Sequence, residues 1–268
     1  MKKQKRNWFA YLFVTLLLIF LLMPILSISL YSISKNWTTQ MLPEEFTFEY
    51  YGELFSIPDF FMAIVRSIGI SLLSVGLCIV ILLLALYVVL VYKPGWEKML
   101  SITVTIPYAI SGVILATSLL SLYAGGPWPL SNRMVMLTFA YCIVILPYVY
   151  QGIRNSLYAV NVHQLLEVAE ILHCKKLRAY FTIIVPNIFS GITISALLAI
   201  AIVFGDFVLV KTIAGTSFFT LQYYLFNALL KSGTRGGAVV FVAFLITLSI
   251  AFLALKLQEK GSKHRAEL

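Results

Sequence analysis

Six long apolar runs, separated by shorter polar stretches, dominate the pattern of residues along the chain. A transmembrane helix needs about 20 predominantly apolar residues, and the runs are of that order. We therefore predict an all-α integral membrane protein with six transmembrane helices, at about 8–33, 61–92, 100–123, 134–151, 184–210 and 237–257. Pro24 lies inside the first run and predicts a kink or a local break there.

The polar stretches between these runs predict the connections. Residues 34–60 hold five acidic side chains and one lysine, and we expect an outer segment with a short interfacial helix. The Gly-Gly-Pro-Trp-Pro cluster at 125–129 predicts a loop. Neither an internal repeat nor a low-complexity tract is evident. We therefore expect one domain over 1–268, with its core at about 61–257.

The composition excludes a soluble domain. Hydrophobic residues make up 60% of the chain, mean hydropathy is +0.93, and charged residues contribute only 12%, about half the usual share. Fourteen of the twenty Lys and Arg residues fall on the side that holds both predicted termini. By the positive-inside rule, we expect both termini to be cytoplasmic. The same rule accounts for the net charge of +9, so we expect no nucleic-acid binding.

The first apolar run is not expected to be a signal peptide, because it is too long and lacks a small-residue cleavage site. It is interpreted as the first membrane helix.

The segment between the fourth and fifth runs is polar but still patterned. Apolar residues at helical spacing predict one apolar face on a short helix, formed by Leu165, Val168, Ala169 and Leu172. Asn161 and Gln164 stand in the relation of a capping box, which suggests where that helix begins. A second amphipathic stretch starts at Lys175, and Pro186 closes the segment. Two short amphipathic helices on a charged loop predict a docking surface.

This segment resembles the signature loop of ABC importer permeases, which reads Glu-Ala-Ala, three residues, Gly, nine residues, Ile-x-Leu-Pro. Here Glu167-Val168-Ala169 is followed by three residues, His173, nine residues and Ile-Ile-Val-Pro at 183–186. The family's glycine lets the chain turn between two short helices. A side chain at that position disfavours the left-handed backbone conformation, which His tolerates better than most residues. Either His173 adopts that conformation or the turn has another shape.

The resemblance implies the permease subunit of a binding-protein-dependent ABC importer in a bacterial-type cytoplasmic membrane. Such a subunit forms half of a translocation pathway for a small polar solute. The implied partners are cytoplasmic ATP-binding subunits, a second permease subunit (similar or identical), an extracytoplasmic substrate-binding protein and membrane lipid. Within a coupling loop at 152–186, the resemblance implies that the following residues serve ATPase coupling: Leu165, Glu167, Val168, Ala169, Leu172, His173 and Pro186.

A weaker resemblance concerns the substrate. Residues 204–215, FGDFVLVKTIAG, are similar to the fifth helix of permeases for polyamines, phosphonates, ferric iron or thiamine. This similarity covers only a handful of residues.

No catalytic or metal-binding motif is present in the sequence. The chain has no phosphate-binding GxxxxGK[ST] motif, so it is not expected to hydrolyse ATP itself. The three histidines, His163, His173 and His264, lie in the loop and the tail and are interpreted as solvated. The three cysteines, Cys78, Cys142 and Cys174, show no metal-ligand spacing, and we expect no cofactor.

Asp206 is the only acidic residue inside a predicted span. Charged residues in membrane segments usually face an interior or a cavity. Asp206 therefore either lines the pathway near its outer end or is a capping or snorkelling acid paired with Lys211. An ion-gradient-driven secondary transporter is the alternative function, but it needs ionisable groups near the midplane, and Asp206 lies too far out. A membrane-embedded enzyme is disfavoured because no reactive groups converge.

Overall fold

The computed structural model describes residues 8–35, 37, 45–126, 129–231 and 233–266. Apart from an isolated bridge between Ser34 and Phe46, regular structure in these residues is helical. The apolar composition favours this outcome, because a helix satisfies every backbone hydrogen bond within one segment and hydrocarbon offers no other partner. The prediction of an all-α membrane protein is confirmed.

The α-helices follow the predicted order along the chain. Their bounds are α1 Trp8–Ser32, α2 Glu49–Ser56, α3 Pro58–Val91, α4 Glu97–Thr105, α5 Gly112–Tyr123, α6 Arg133–Ala159, α7 Val162–Ile171, α8 Lys176–Ala179, α9 Val185–Asn187, α10 Phe189–Gly205, α11 Leu221–Lys231 and α12 Gly233–Ala266. A π-helical turn, Tyr180–Ile184, joins α8 and α9 into one continuous segment. The short helix expected in 34–60 is α2.

Four helices, α1, α3, α6 and α12, are long and apolar enough to cross a membrane by length and composition. Two bent pairs raise the number of candidate spans in the described residues to six when each pair counts as one span. Pro94–Ala109 meets Gly112–Tyr123 at 98°, and Lys176–Asn187 meets Phe189–Gly205 at 68°. This count agrees with the six predicted spans.

The third and fifth predicted spans each bend sharply. In each bent pair a proline, Pro107 or Pro186, lies within one turn before the break. Proline removes a helical hydrogen bond and disturbs the turn before it. The first span behaves differently, because α1 continues through Pro24 without a break.

Two predicted helix ends are wrong. The fourth helix was expected to end at about 151, but α6 continues to Ala159, so the first part of the expected loop 152–186 is helical. Ile153 and Leu157 are buried on this extension, and their packing stabilises the extra turns. The fifth helix was expected to reach about 210, but α10 ends at Gly205 and Asp206 is extended.

The described residues group into two compact units, one drawn from those within 1–61 and 224–245 and the other from those within 62–223 and 246–268. In the first unit, the Tyr51 hydroxyl donates to Ser32 Oγ over 2.7 Å, and the rings of Phe60 and Tyr224 pack together. The second unit contains the main hydrophobic core, to which α3, α6 and α10 contribute. The expectation of one domain over 1–268 stays a prediction.

Helices α6 and α10 cross closely at four small residues. A Cβ atom on Gly191 would overlap the side chain of Ser156, and a Cβ atom on Gly152 would overlap the side chain of Ser195. Small residues let two membrane helices approach along their backbones. Because α7 begins three residues after α6 ends, this crossing positions the start of the loop helix.

Candidate functional site

Helix α7 begins where the sequence suggested, but the expected capping box does not form. Asn161 is the residue before the helix, and its side chain makes no capping hydrogen bond. Its backbone, at φ −70° and ψ 80°, lies outside the extended conformation that N-cap residues typically adopt. Only its carbonyl oxygen contributes to the start of the helix, where it accepts a hydrogen bond from the Leu165 amide over 3.2 Å.

The inner face of α7 packs on the rest of the chain. Val162 and Ala169 are buried, Ala169 being only 2% exposed. Leu166 is half-buried and packs against the main hydrophobic core. These three residues recur at spacings of four and three, so they share one side of the helix. The inner face therefore fixes how α7 sits on the membrane helices.

The outer surface of α7 ends in an exposed apolar patch, formed by Val168 (53% exposed), Ile171 (75%) and Leu172 (74%). Glu167 is exposed beside it. We call these four residues the α7 tip. The prediction that Leu165, Val168, Ala169 and Leu172 share one apolar face is therefore wrong. Ala169 is buried on the inner face and Leu165 is half-buried, whereas Val168 and Leu172 are exposed. Ile171 was missed, although its position three residues after Val168 could have indicated it.

The turn after α7 confirms the role expected for the glycine position. His173 has φ 55°, and it is the one non-glycine residue with positive φ in the part of the chain that the structure describes. The His173 amide donates to Glu170 O and the Cys174 amide to Ala169 O, each over 2.9 Å. This is the Schellman arrangement, which needs a left-handed residue at this position. The alternative of a differently shaped turn is wrong.

The side chain of His173 also supports the turn. Its Nδ1 atom lies 3.1 Å from the carbonyl oxygen of Ile171, a hydrogen bond in the tautomer that carries the proton on Nδ1. A left-handed conformation costs an ordinary residue about 1–2 kcal/mol. The local hydrogen bond offsets part of that cost.

The helical segment after the turn is anchored to α3. Ala179, Tyr180 and Ile184 are buried. The Tyr180 hydroxyl donates to the carbonyl oxygen of Leu83 over 2.9 Å. Pro186, which the sequence grouped with the coupling residues, is exposed and belongs to the bend before α10 rather than to α7.

Asp206 lies half-buried just beyond the end of α10. One of its carboxylate oxygens accepts the Tyr141 hydroxyl over 3.1 Å and the Leu209 amide over 2.9 Å. The second bond, to an amide three residues on, is typical of a residue that caps a helical turn. The Lys211 ammonium lies 5.2 Å from the centre of the Phe207 ring. These contacts support a capping role, and the pathway role stays a prediction.

No group of three or more His, Cys, Asp or Glu side chains converges on a possible metal site in the described residues. His173 is exposed, while the side chains of His163 and His264 fall outside the described part. Cys78 and Cys142 are buried, and Cys142 Sγ lies 3.2 Å from the carbonyl oxygen of Ser74.

A family described as "Binding-protein-dependent transport system inner membrane component" matches residues 96–260, which is more than half of the chain. No curated protein matches.

Two solved structures resemble the chain. One is a bacterial ABC transporter involved in the import of the acidic polysaccharide alginate, with 16% identity, TM-score 0.62 and 96% of each chain covered. The other is a bacterial alginate ABC transporter in complex with an alginate pentasaccharide-bound periplasmic protein, with 19% identity, TM-score 0.62 and 93% of each chain covered. At these identities the likeness concerns the fold alone.

Proposed function

The chain belongs to the family of binding-protein-dependent transport system inner membrane components, and we propose that it docks on a cytoplasmic ATPase through the α7 tip. As a member it is the permease subunit of an ABC importer and a multi-pass inner membrane protein. It is not an enzyme, since ATP hydrolysis belongs to a separate subunit of such importers.

The exposed apolar patch on α7 is the observation that carries the docking proposal. Val168, Ile171 and Leu172 are exposed together at the end of a short helix that is not one of the candidate spans, and the chain's own core does not cover them. A contiguous exposed apolar patch with polar neighbours is typical of a protein interface. Glu167, at the acidic position of the family's loop, places one charge at the edge of this patch.

The orientation of the chain supports the same partner. Fourteen of the twenty Lys and Arg residues fall on the side that would hold both termini and the α7 tip. The basic residues after the turn, Lys175, Lys176 and Arg178, are all exposed. We therefore propose cytoplasmic termini, with the α7 tip facing the compartment that supplies ATP.

The packing around α7 provides a route for coupling. The inner face of α7 contacts the core through Leu166 and Ala169. Tyr180 ties the next helical segment to α3, and α6 crosses α10 closely at Gly152 and Gly191. When the ATPase subunits close on ATP, displacement of the α7 tip would carry these helices with it. Alternating access follows if a second permease subunit, similar or identical, forms the other half of the pathway.

The substrate proposed for this permease is a small polar solute that an extracytoplasmic binding protein delivers. The similarity of residues 204–215 to polyamine, phosphonate, ferric iron and thiamine permeases supports this class. The two similar structures come from alginate transporters, but sequence identity below 20% supports a shared fold and not a shared substrate. An ion-gradient-driven mechanism is not favoured, because the family depends on a binding protein.

Site-specific photo-crosslinking tests the docking proposal. A photoreactive residue at Leu172 should link the chain to an ATPase subunit in the assembled importer. The same residue at Leu198, which is exposed on α10, serves as the matched control and should give no such product. Absence of an ATPase adduct at Leu172, while the ATPase still copurifies, would refute docking through the α7 tip.

A further inference from the structure

A cleft of about 400 Å³ lies between the turn that follows α3, the start of α4 and the last turns of α6. Its lining includes Glu97, Lys98, Ser101, Arg154 and Tyr158. Its volume is within the range of small-ligand pockets. The docking role of α7 does not use this cleft.

The charged groups of the cleft favour an anion. Lys98 and Arg154 contribute two positive charges against one negative charge from Glu97. Arg154 Nη2 lies 3.4 Å from Glu97 Oε1, longer than the 2.7–2.9 Å typical of charge-assisted hydrogen bonds. Arg154 Nε is buried without a hydrogen-bond partner. Glu97 therefore satisfies only part of a guanidinium that offers five donors.

The surrounding groups hold the guanidinium in place. Its Cζ atom lies 5.1 Å from the centre of the Tyr158 ring and 5.9 Å from that of Tyr150. The Tyr158 hydroxyl donates to Glu97 Oε1 over 2.9 Å. A planar guanidinium held in this way is well suited to a phosphate.

The position of the cleft indicates the kind of molecule that carries the phosphate. The cleft lies beside the turn between the end of α3 at Val91 and the first turns of α4. Tyr92 and Trp96 are exposed in this turn, and such aromatic residues are enriched at the membrane–water interface. Ile102, at the cleft, and Met99, near it on α4, expose apolar side chains. An anion site that has exposed apolar side chains beside it and lies near the membrane–water interface fits an amphiphilic molecule.

We propose that this cleft binds the headgroup phosphate of an anionic phospholipid, with Arg154 and Lys98 as its cationic ligands. Basic pockets between membrane helices bind anionic headgroups in this manner. A bound lipid ties the start of α4 to the end of α6, three residues before α7 begins. If α7 docks on the ATPase as proposed above, the anionic lipid content of the membrane then modulates coupling. Lipid binding in the cleft does not itself depend on that docking.

Lipid retention by the full chain tests the proposal. The chain is purified from nanodiscs that contain equal amounts of phosphatidylglycerol and phosphatidylcholine, and bound lipid is counted by native mass spectrometry. The wild type should retain phosphatidylglycerol preferentially. Removing one cation near a membrane surface weakens anionic lipid binding about fivefold. Arg154→Gln and Lys98→Gln should each show that loss, whereas Lys93→Gln, an equal charge change at an exposed residue that does not line the cleft, should retain the lipid.

Glu97→Gln distinguishes a ligand site from a structural ion pair. Because Glu97 competes with the phosphate for Arg154, its neutralisation should raise phosphatidylglycerol retention. Lower retention in Glu97→Gln would mean that the pair only holds the fold. Equal retention of the two lipids by the wild type, or equal loss in Lys93→Gln and Arg154→Gln, would also overturn the proposal.

A second arm of the experiment distinguishes a soluble phosphate from a lipid headgroup as the ligand of the cleft. Glycerol 3-phosphate is added to the chain in nanodiscs that contain phosphatidylcholine alone. A stable adduct that Arg154→Gln abolishes would assign the cleft to a soluble phosphate and overturn the lipid proposal. No adduct, together with selective phosphatidylglycerol retention, is the expected result.

Discussion

The ammonium group of Lys176 lies 2.7 Å from a carboxylate oxygen of Glu170, so that an ion pair spans the turn at His173 and joins α7 to α8. Both side chains are about half exposed. An ion pair of this kind contributes only about 0.2–1 kcal/mol to stability. Its position nevertheless restrains the angle between α7 and α8.

Charge exchange at this pair tests whether it orients the α7 tip. Glu170→Lys should lower ATP-driven uptake, because two like charges would then face each other across the turn. The double exchange Glu170→Lys with Lys176→Glu should restore uptake in proteoliposomes. Lys175→Glu, next to the turn but outside this ion pair, is the control. A double exchange as inactive as the single one would show that the residues act separately.

Glu167→Ala should strongly reduce uptake while the chain still inserts in the membrane, because Glu167 is exposed and its loss leaves no cavity. Truncation of one partner in a desolvated charge contact costs about 2–5 kcal/mol of binding. Copurification of the ATPase with the variant measures this loss.

Ala169→Asp provides the contrast, because Ala169 is buried on the inner face. A charge there should detach α7 from the core and lower the melting temperature, which Glu167→Ala should not do. Normal transport by both variants would contradict ATPase docking through this loop.

His173→Gly should keep transport, because glycine adopts the left-handed conformation of this turn without steric cost. His173→Val should instead lower the stability of the detergent-solubilised chain by about 1–2 kcal/mol, since a β-branched residue is strained at positive φ. Thermal unfolding and uptake are measured together. If His173→Gly lowers uptake without loss of stability, the imidazole makes a contact of its own with a partner.

Gly191→Leu should prevent the close crossing of α6 and α10, because even a Cβ atom at Gly191 would overlap Ser156. Gly69→Ala is the matched control, since a Cβ atom there meets nothing within 4 Å. An alanine in a helix interior is favoured over glycine by about 1 kcal/mol, so the control should be neutral or stabilising. The melting temperatures of the two variants test whether α6 and α10 cross closely at Gly191. Equal melting temperatures would contradict the close crossing.

Asp206→Asn tests the role of the acid beyond α10. The amide oxygen of asparagine can still accept from Tyr141 and Leu209, so the fold and ATPase assembly should be kept. Altered uptake at normal assembly would support a pathway role. Unchanged uptake, with Asp206→Ala destabilised by about 1 kcal/mol as expected for a lost cap, would assign a structural role alone.

The sequence by itself determined the membrane class, the approximate spans and the location of the loop. The hydrocarbon thickness sets a minimum apolar length that can be counted along the chain. The spacing around His173 also identified the position where the family has glycine, and it left two possibilities for the turn, a left-handed His173 or another shape. These features depend on local length, spacing and backbone conformation.

The tertiary structure alone decided which side of α7 faces the core, where the third and fifth spans bend, and how far α6 extends. A helical period shows that a helix has an apolar face, but it does not show that Ala169 packs inward while Val168 and Ile171 remain exposed. Likewise, the contact between Tyr141 and Asp206 joins residues 65 positions apart. The physical reason is that these choices depend on packing between helices distant in sequence, which periodicity and spacing within one segment do not encode.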